Sequence, residues 1–242
     1  MKIINTNLCD FHNISFNKAI SMVKTYSKSP DLDIVVTPNI DHMARLTSDP
    51  KSPLHIIYGK SSLCICDSKV LQKILLLKDK IIDEVIPGST LTQALFDNEL
   101  SSEDRILVIG GSDQVIAKLR TKYSHLTIEH HNPPMGFINK KDEVQEAIDY
   151  CIDTNPDYIF LAVGSPRQEI LAQKIQATNK CNAVAMCIGA SILFLVDEEK
   201  RAPLWMQKAH LEWFYRMAQD PQRLVKRYFD NLLTLPKIYK NL

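Results

Sequence analysis

Apolar runs with the length of buried strands alternate with amphipathic segments along most of the chain. Runs rich in valine and isoleucine predict strands at residues 33–37, 105–110, 126–129, 158–163 and 183–188. Apolar residues at helical spacing predict helices at residues 113–123, 141–154 and 166–176. Residues 54–58 and 63–66 form further apolar runs, and the Leu/Ile/Lys-rich segment 68–85 is compatible with a helix.

This alternation predicts an α/β fold with a mostly parallel sheet covered by helices on both faces, most clearly over residues 105–189. In open sheets of this kind, ligands bind beyond the carboxyl ends of the strands. Glycine turns and helix N-termini at such ends favour phosphate groups. The polar residues and glycines at the predicted strand ends are Thr37, Asn39, Asp67, Gly110, Gly111, Gly164, Gln168, Glu169 and Gly189.

The composition of the 242-residue chain is 45% hydrophobic and 24% charged. These proportions are typical of a globular protein with a sizeable core and exclude a mainly disordered chain. No apolar run reaches the length of about 18 residues expected of a membrane-spanning helix, and we recognise no targeting segment. The six cysteines form no CxxC pair, so we expect reduced, buried thiols in a cytosolic protein.

Positive charge is concentrated toward the C-terminal end, although the whole chain has a net charge of only +1. Residues 200–242 contain nine basic and three acidic residues, with aromatic and leucine side chains at near-helical intervals. We therefore expect an α/β domain over residues 1–196 and a basic amphipathic helical appendage over residues 197–242. The appendage suits an anionic membrane surface, but two packed helices with a solvated basic face fit the pattern equally well. No DNA- or RNA-binding motif supports a nucleic-acid partner.

Two positions carry candidate chemistry. Asp67 ends the apolar run SSLCICD, where its carboxylate could act as a general base or cap the helix predicted to follow. Gln168 and Glu169 follow Pro166 on a predicted first helical turn. They could bind sugar hydroxyls through directional hydrogen bonds, or serve only as capping and surface residues.

Two other motifs argue against common cofactors. The turn VIGGSD lacks both the GxGxxG spacing and the Walker lysine, so neither a dinucleotide site nor a P-loop is predicted. His130 and His131 are adjacent in a predicted strand region, where neighbouring side chains face opposite ways. We therefore assign both histidines to structure and predict no metal site.

Several motifs resemble those of the WecG/TagA/CpsF glycosyltransferase family. The segment from GASILFLVDEEKRAPLW to RLVKRYFDN is similar to the family's C-terminal signature, and VGSPRQE is similar to its GAPKQE motif. VVTPNIDHM resembles the family's TPN segment, and VIPGSTLTQAL resembles its V-x-G-x-D-L segment. RILVIGG and the later Gly136-Phe137 pair match in order and spacing, so that the resemblance covers roughly residues 30–230.

The resemblance implies a Rossmann-like α/β core and a metal-independent, inverting transfer of a sugar from a nucleotide donor, usually UDP-linked. The acceptor would be a sugar on a polyprenyl diphosphate, and the product a teichoic acid linkage unit, a capsule or another surface polysaccharide. It also implies a protein without cofactors that is peripheral on the inner face of the cytoplasmic membrane. Family members are often oligomeric, so that a homo-oligomer is compatible with the resemblance.

The resemblance assigns roles to individual residues. Asp67 matches the general base that takes the proton of the acceptor hydroxyl. Residues implied on the donor side are Thr37, Asn39, Gly110, Gly111, Gly136, Phe137, Gly164, Gln168, Glu169 and Gly189. Residues implied for the acceptor and its diphosphate are Arg201, Arg216, Arg223, Lys226 and Arg227. Arginine forks and glycine-turn N–H groups are suited to offset the charge of a leaving diphosphate without a metal.

The sequence departs from the family pattern mainly on the donor side. Ser68 replaces the glycine that usually follows the base, and Val85 replaces an arginine. Thr90 and Leu193 each stand where the family has an aspartate. These differences leave a second hypothesis open, a non-catalytic subunit that binds a nucleotide sugar or acts as a scaffold in polysaccharide assembly.

Overall fold

The computed structural model describes residues 1–199, 203, 206 and 212–242, except for the side chains of residues 212, 213, 216 and 223. The strands are β1 Lys2–Ile4, β2 Phe11–Asn13, β3 Asp33–Val36, β4 Leu63–Cys64, β5 Ile106–Ile109, β6 Ile128–His131, β7 Tyr158–Leu161 and β8 Val184–Cys187. The helices up to the end of the α/β body are α1 Phe16–Tyr26, α2 Ile40–Ser48, α3 Leu54–Lys60, α4 Lys69–Leu76, α5 Gly88–Ala94, α6 Asp113–Lys122, α7 Lys141–Thr154, α8 Arg167–Gln176 and α9 Ser191–Leu195. Two helices follow, α10 Glu212–Gln219 and α11 Pro221–Asn241.

The main sheet has six strands in the order β4-β3-β8-β7-β5-β6, and every neighbouring pair is parallel. β1 and β2 form a separate antiparallel pair. All six parallel strands end at the same edge of the sheet, which therefore collects the loops that follow them. The structure confirms the predicted Rossmann-like α/β fold with a parallel sheet.

The strands are buried on both faces, which explains why they are continuous apolar runs rather than alternating ones. Side chains alternate across a strand, so neighbouring residues enter different layers of the core. Ile34 and Val36 pack with residues of α2, α3, α4, α7 and α8, whereas Val35 packs with residues of α1, α5 and α6. The sheet is thus enclosed by helices on each side.

Most of the predicted elements are present with nearly the predicted ends. The strand predicted at 126–129 instead spans Ile128–His131, because its backbone pairs with β5 as far as Ile109 opposite His131. The apolar run 54–58 lies in helix α3, and the segment 68–85 is helical only from Lys69 to Leu76.

Helix α11 returns to the α/β body and packs against α2. Leu224 and Ile238 of α11 are buried, as is Leu242, which follows the helix. Ile238 and Leu242 belong to the core layer that also contains Leu71 and Leu75 of α4. The proposed domain boundary after residue 196 stays a prediction. Within the described part of the chain, no helix combines the length and the apolar character needed to cross a membrane.

Candidate active site

Asp67 lies beyond the carboxyl end of β4, where it joins three loops. Its backbone N–H donates to the carbonyl of Pro38 at 3.1 Å. Its Oδ1 accepts from the N–H of Gly88 at 3.1 Å, and its Oδ2 accepts from Nδ2 of Asn39 at 3.4 Å. The half-buried carboxylate is therefore oriented by two donors from distant parts of the chain.

The alternative role of Asp67 as a helix cap is wrong. Ser68 caps α4, since its Oγ accepts from the N–H of Leu71 at 3.2 Å. Ser68, which replaces the usual glycine after the proposed base, is thus the N-cap of α4. The Asp67 carboxylate lies at the sheet edge instead.

Asn39 is held by the start of α2. Its Oδ1 accepts from the N–H of Asp41 at 3.0 Å, as an N-cap does. Because one end of the amide is used by the cap, the NH₂ end is turned toward Asp67. The backbone N–H of Asn39 donates to Nδ1 of His42 at 3.2 Å, which completes a capping box with histidine as the third residue.

His42 connects this loop to α8. Its Nδ1 lies 3.2 Å from the backbone N and 2.9 Å from Oδ1 of Asn39, and its Nε2 lies 3.9 Å from Oε1 of Glu169. Burial lowers the pKa of His42, and the nearby charges of Arg45 and Arg227 lower it further, against the attraction of Glu169 and Asp41. The ring is therefore neutral at neutral pH.

Gln168 and Glu169 are buried rather than open to the surface, with 4% and 1% exposure. Oε1 of Gln168 accepts from the N–H of Gly189 at 2.9 Å, and its Nε2 donates to Oε1 of Glu169 at 3.1 Å. The hydroxyl of Tyr58 donates to the same Glu169 oxygen at 3.3 Å. Burial and the Glu169 carboxylate raise the pKa of Tyr58 well above its usual value, so the phenol keeps its proton.

These contacts form a continuous polar path along the sheet edge, here called the Asp67–Gly189 path. It runs through the side chains of Asp67, Asn39, His42, Glu169 and Gln168 to the backbone of Gly189. The path connects the ends of β4, β3, β7 and β8. The proposed base and the turn that contains Gly164 and Gln168 therefore lie on the same side of the molecule.

The remaining candidates on the donor side occupy the other half of the same edge. Gly110 and Gly111 follow β5 with φ of +96° and +82°, and a Cβ on Gly110 would lie 2.8 Å from Cγ1 of Val163. His130 holds this turn, because its Nε2 lies 3.2 Å from both glycine carbonyl oxygens. Gly136 starts a short helical turn in which Phe137 is buried. These glycines thus allow a tight backbone surface of the kind that approaches phosphate.

Thr37 lies against Gly88 at the start of α5. A Cβ on Gly88 would lie 2.4 Å from Oγ1 of Thr37, so only glycine allows this approach. The same glycine donates its N–H to Asp67. Close packing between two loops therefore sets the position of the donor to the proposed base.

Two of the donor-side departures, Val85 and Thr90, line an open cleft of about 420 Å³ next to this point. Its lining is formed by Ser15, Phe16, Asn17, Glu84, Val85, Pro87 and Thr90. Val85 is itself mostly buried, at the place where the family has an arginine. Leu193 lies apart from this cleft and packs against the core layer of α1, α5 and α6.

The candidate acceptor residues are described only in part. Arg201 lies outside the described residues, and so do the side chains of Arg216 on α10 and Arg223 on α11. Lys226 is exposed, whereas Arg227 is half-buried with its guanidinium 5.6 Å from the ring of Tyr228. Among the described residues, Nε of Arg227 is buried and has no hydrogen-bond partner.

Arg227 belongs to the same side of the molecule as the Asp67–Gly189 path. Its charge acts on His42, and Nδ2 of Asn231, one turn further along α11, lies 3.5 Å from Oδ1 of Asp41. Asp41 also forms an ion pair with Arg45 within α2. Helix α11 therefore brings a cation to the start of α2, beside the loop that orients Asp67.

The sequence did not identify His42 or Tyr58 as members of the site. The Asn-x-x-His spacing at a helix start is a signal that could have found His42. Tyr58 has no local signal, because its link to Glu169 spans 111 residues. No three His, Cys, Asp or Glu residues in the described ranges are grouped as a metal site would require, and metal independence stays a prediction.

Comparison with known proteins supports the resemblance seen in the motifs. The model of the glycosyl transferase WecG/TagA/CpsF family matches residues 1–242. N-acetylglucosaminyldiphosphoundecaprenol N-acetyl-beta-D-mannosaminyltransferase from Staphylococcus aureus strain MW2 is 25% identical over 223 residues, covering 89% of this chain and 84% of the relative. The protein of the same name from strain MRSA252 is 26% identical over 224 residues, with the same coverage. The chain belongs to the WecG/TagA/CpsF family and is a glycosyltransferase.

Proposed function

We propose that the protein transfers a sugar from a nucleotide donor, UDP-linked by resemblance, to a saccharide carried on a polyprenyl diphosphate. The step belongs to the synthesis of a bacterial cell-surface polysaccharide. The observation that carries the proposal is the Asp67 carboxylate, oriented by Asn39 and Gly88 at the sheet edge where α/β folds bind ligands. The names of the relatives specify N-acetylglucosamine on diphosphoundecaprenol as the acceptor and N-acetylmannosamine as the transferred sugar.

In the proposed reaction, Asp67 is the general base. It takes the proton of the acceptor hydroxyl as that oxygen attacks the anomeric carbon of the donor sugar. The new C–O bond forms on the face opposite the leaving nucleoside diphosphate, whose C–O bond breaks with its electron pair, so the configuration inverts. Each carboxylate oxygen can accept more than one hydrogen bond, and the bonds from Gly88 and Asn39 therefore orient the base while it takes this proton.

The charge of the leaving diphosphate is offset by cations and backbone donors in this proposal. Arg227 lies beside the Asp67–Gly189 path, and the glycine turns after β5 and β7 lie at the same edge with positive φ. Guanidinium forks bind phosphate oxygens in pairs. Arg201, Arg216, Arg223 and Lys226 are proposed to join this set when the lipid-linked acceptor is bound.

Helix α11 supports a peripheral membrane position, proposed to be on the inner face. Its outward side carries an exposed apolar row with alternating spacings of four and three residues, here called the outer stripe. The outer stripe consists of Val225, Phe229, Leu232, Pro236 and Tyr239. Apolar rows flanked by cations are typical of helices that lie in the headgroup region of anionic membranes, where a polyprenyl carrier is held.

The test is a transfer assay with Asp67→Asn. The assay supplies a panel of labelled nucleotide sugars, including UDP-N-acetylmannosamine, with N-acetylglucosamine on a polyprenyl diphosphate as acceptor. We expect Asp67→Asn to fold and to bind the donor, but to lose about 10²–10⁴-fold in turnover, the contribution of a general base. Full activity of this variant would remove Asp67 from the mechanism.

A non-catalytic role as a nucleotide-sugar-binding or scaffold subunit is the second candidate. It is favoured by Val85, Thr90 and Leu193, which replace charged family residues with neutral ones. Binding of a donor without turnover across the whole panel would select this role.

A further inference from the structure

The α/β body exposes two consecutive leucines beside α11. Leu76 is the last residue of α4 and Leu77 follows it, and the two are 57% and 72% exposed. Their neighbours Ile74 and Leu75 are buried, so this turn contributes apolar residues both to the core and to the surface. Exposed leucines at the tip of a turn lower the solubility and bury no apolar area in the core. Their presence indicates that a partner covers them.

The turn adjoins the outer stripe of α11. Nζ of Lys78 lies 4.8 Å from the centre of the ring of Tyr239, the last residue of that stripe. Behind this contact, Ile238 and Leu242 share a core layer with Leu75. The 76–77 turn and the C-terminal end of α11 are therefore neighbours.

The segment that contains the apolar tip is rich in lysine. Residues 69–80 contain four lysines and one aspartate, and the lysines are Lys69, Lys73, Lys78 and Lys80. Lys80 is turned back to donate to the carbonyl of Asn5. Lys69 and Lys73 are exposed on α4 itself.

We infer that the 76–77 turn is a second lipid-contacting element, which inserts its leucines into an anionic bilayer next to the outer stripe. The inference rests on the proposed membrane association but places part of the contact on the α/β body, outside the C-terminal appendage. Two contacts on separate elements fix the rotation of the body about α11. The edge that carries Asp67 would then be presented to the bilayer in one orientation.

The charge pattern favours a bilayer over a second copy of this chain. A self-complementary contact would bring two lysine-rich surfaces together, which is unfavourable. Anionic lipid instead attracts each lysine near the surface, and the long lysine side chains keep their charge at the headgroups while leucines enter the apolar region.

The test uses the full chain and sedimentation with vesicles. Vesicles of phosphatidylglycerol and phosphatidylethanolamine are compared with vesicles of phosphatidylcholine alone. We expect the double variant Leu76→Ser and Leu77→Ser to bind the anionic vesicles at least about tenfold more weakly, since two leucine side chains no longer leave water. Lys78→Gln is expected to weaken binding about fivefold at low salt and much less at high salt.

Met135→Ser is the matched control, because Met135 is 88% exposed and follows β6, at the opposite edge of the sheet from β4. It should bind anionic vesicles as the wild type does. Thermal unfolding of all variants checks the fold, and exposed serines at 76 and 77 should leave the melting temperature nearly unchanged.

The outcomes separate this inference from the proposed function. Unchanged vesicle binding by the double variant, or an equal loss in Met135→Ser, overturns the inference alone and leaves sugar transfer untouched. A wild-type chain that stays in the supernatant overturns the inference together with the membrane part of the proposed function. A dimer in sedimentation velocity that the double variant dissociates would show a subunit contact at this surface, and would also overturn it.

Discussion

The side-chain amide of Asn39 faces the carboxylate of Asp67, with Nδ2 3.4 Å from Oδ2, because the other end of the same amide caps α2. The cap at the start of α2 thus determines which atom of Asn39 faces the carboxylate of Asp67. His42 supports this arrangement by accepting from the backbone N–H of Asn39. Asn39 can therefore be replaced by residues that still cap α2 but place a different atom opposite Asp67.

Asn39→Asp is expected to keep the fold and to impair the base. Aspartate caps helices as well as asparagine does, but it places a second carboxylate opposite Asp67. Two facing carboxylates cannot both ionise easily, so the pair holds a proton to higher pH. The pH profile of kcat/KM should show its acidic limb, where the base becomes protonated, shifted to higher pH.

Asn39→Ser is the control for that variant. Serine also caps the helix but is too short to reach Asp67, so activity should fall without the upward shift of the profile. Identical profiles for the two variants would show that Asn39 does not act on the charge of Asp67.

Gly88→Ala is expected to disturb the site through Thr37. The added Cβ would lie 2.4 Å from Oγ1 of Thr37, so that one of the two loops has to move and the N–H bond to Asp67 changes. Overpacking of this kind costs about 1–3 kcal/mol of unfolding free energy. Urea denaturation measures the loss.

The double variant Gly88→Ala and Thr37→Ala tests that cause. Removing Oγ1 takes away the nearest clashing atom, so the double variant should be more stable than the sum of the two single changes predicts. Simple additivity would mean that the two side chains do not compete for the same space.

Glu169→Ala is expected to destabilise the protein by about 2–4 kcal/mol. The carboxylate accepts from both Tyr58 and Gln168, and its removal leaves these buried donors without an acceptor and opens a cavity. Tyr58→Phe removes a single hydrogen bond and should cost only about 1 kcal/mol. Equal losses in urea denaturation would contradict the role of Glu169 as the shared acceptor.

The stability of the protein is expected to fall as the pH drops through the usual titration range of histidine, near 6.5. Burial is the main cause that lowers the pKa of His12, His42 and His131. A histidine with a lowered folded-state pKa takes up a proton more readily in the unfolded chain, so its stabilising contribution is complete above this range and is lost below it. Melting temperatures measured between about pH 7.5 and 5.5 should decrease.

His131→Asn provides the check on that pH dependence. The His131 ring stacks on Tyr150 at 5.1 Å without entering the Asp67–Gly189 path. Replacing it removes one of the three groups, so the slope of melting temperature against pH should become shallower. A steeper slope of melting temperature against pH would show that groups other than His131 cause the pH dependence.

The regular elements of the α/β body were predictable because their signals are local. The spacing of Val144, Ala147, Ile148 and Cys151 gave helix 141–154 with its observed ends, and these side chains are buried as the spacing indicates. Strand β6 could not be predicted fully from local signals. Its polar residues His130 and His131 are in the strand because Val108 and Ile109 of β5 pair with them, and such a partner is not visible in a local window.

The sequence by itself determined the parallel α/β fold and the candidate residues at the strand ends, since hydrophobic periodicity and the chemistry of strand ends depend on near neighbours. Only the tertiary structure decided which of them meet. The donors to the Asp67 carboxylate are 28 and 21 residues away, at Asn39 and Gly88, and Glu169 accepts from Tyr58 on a distant helix. Such contacts arise from the order in which strands pair and helices pack, and this order is set by the whole core rather than by any one segment.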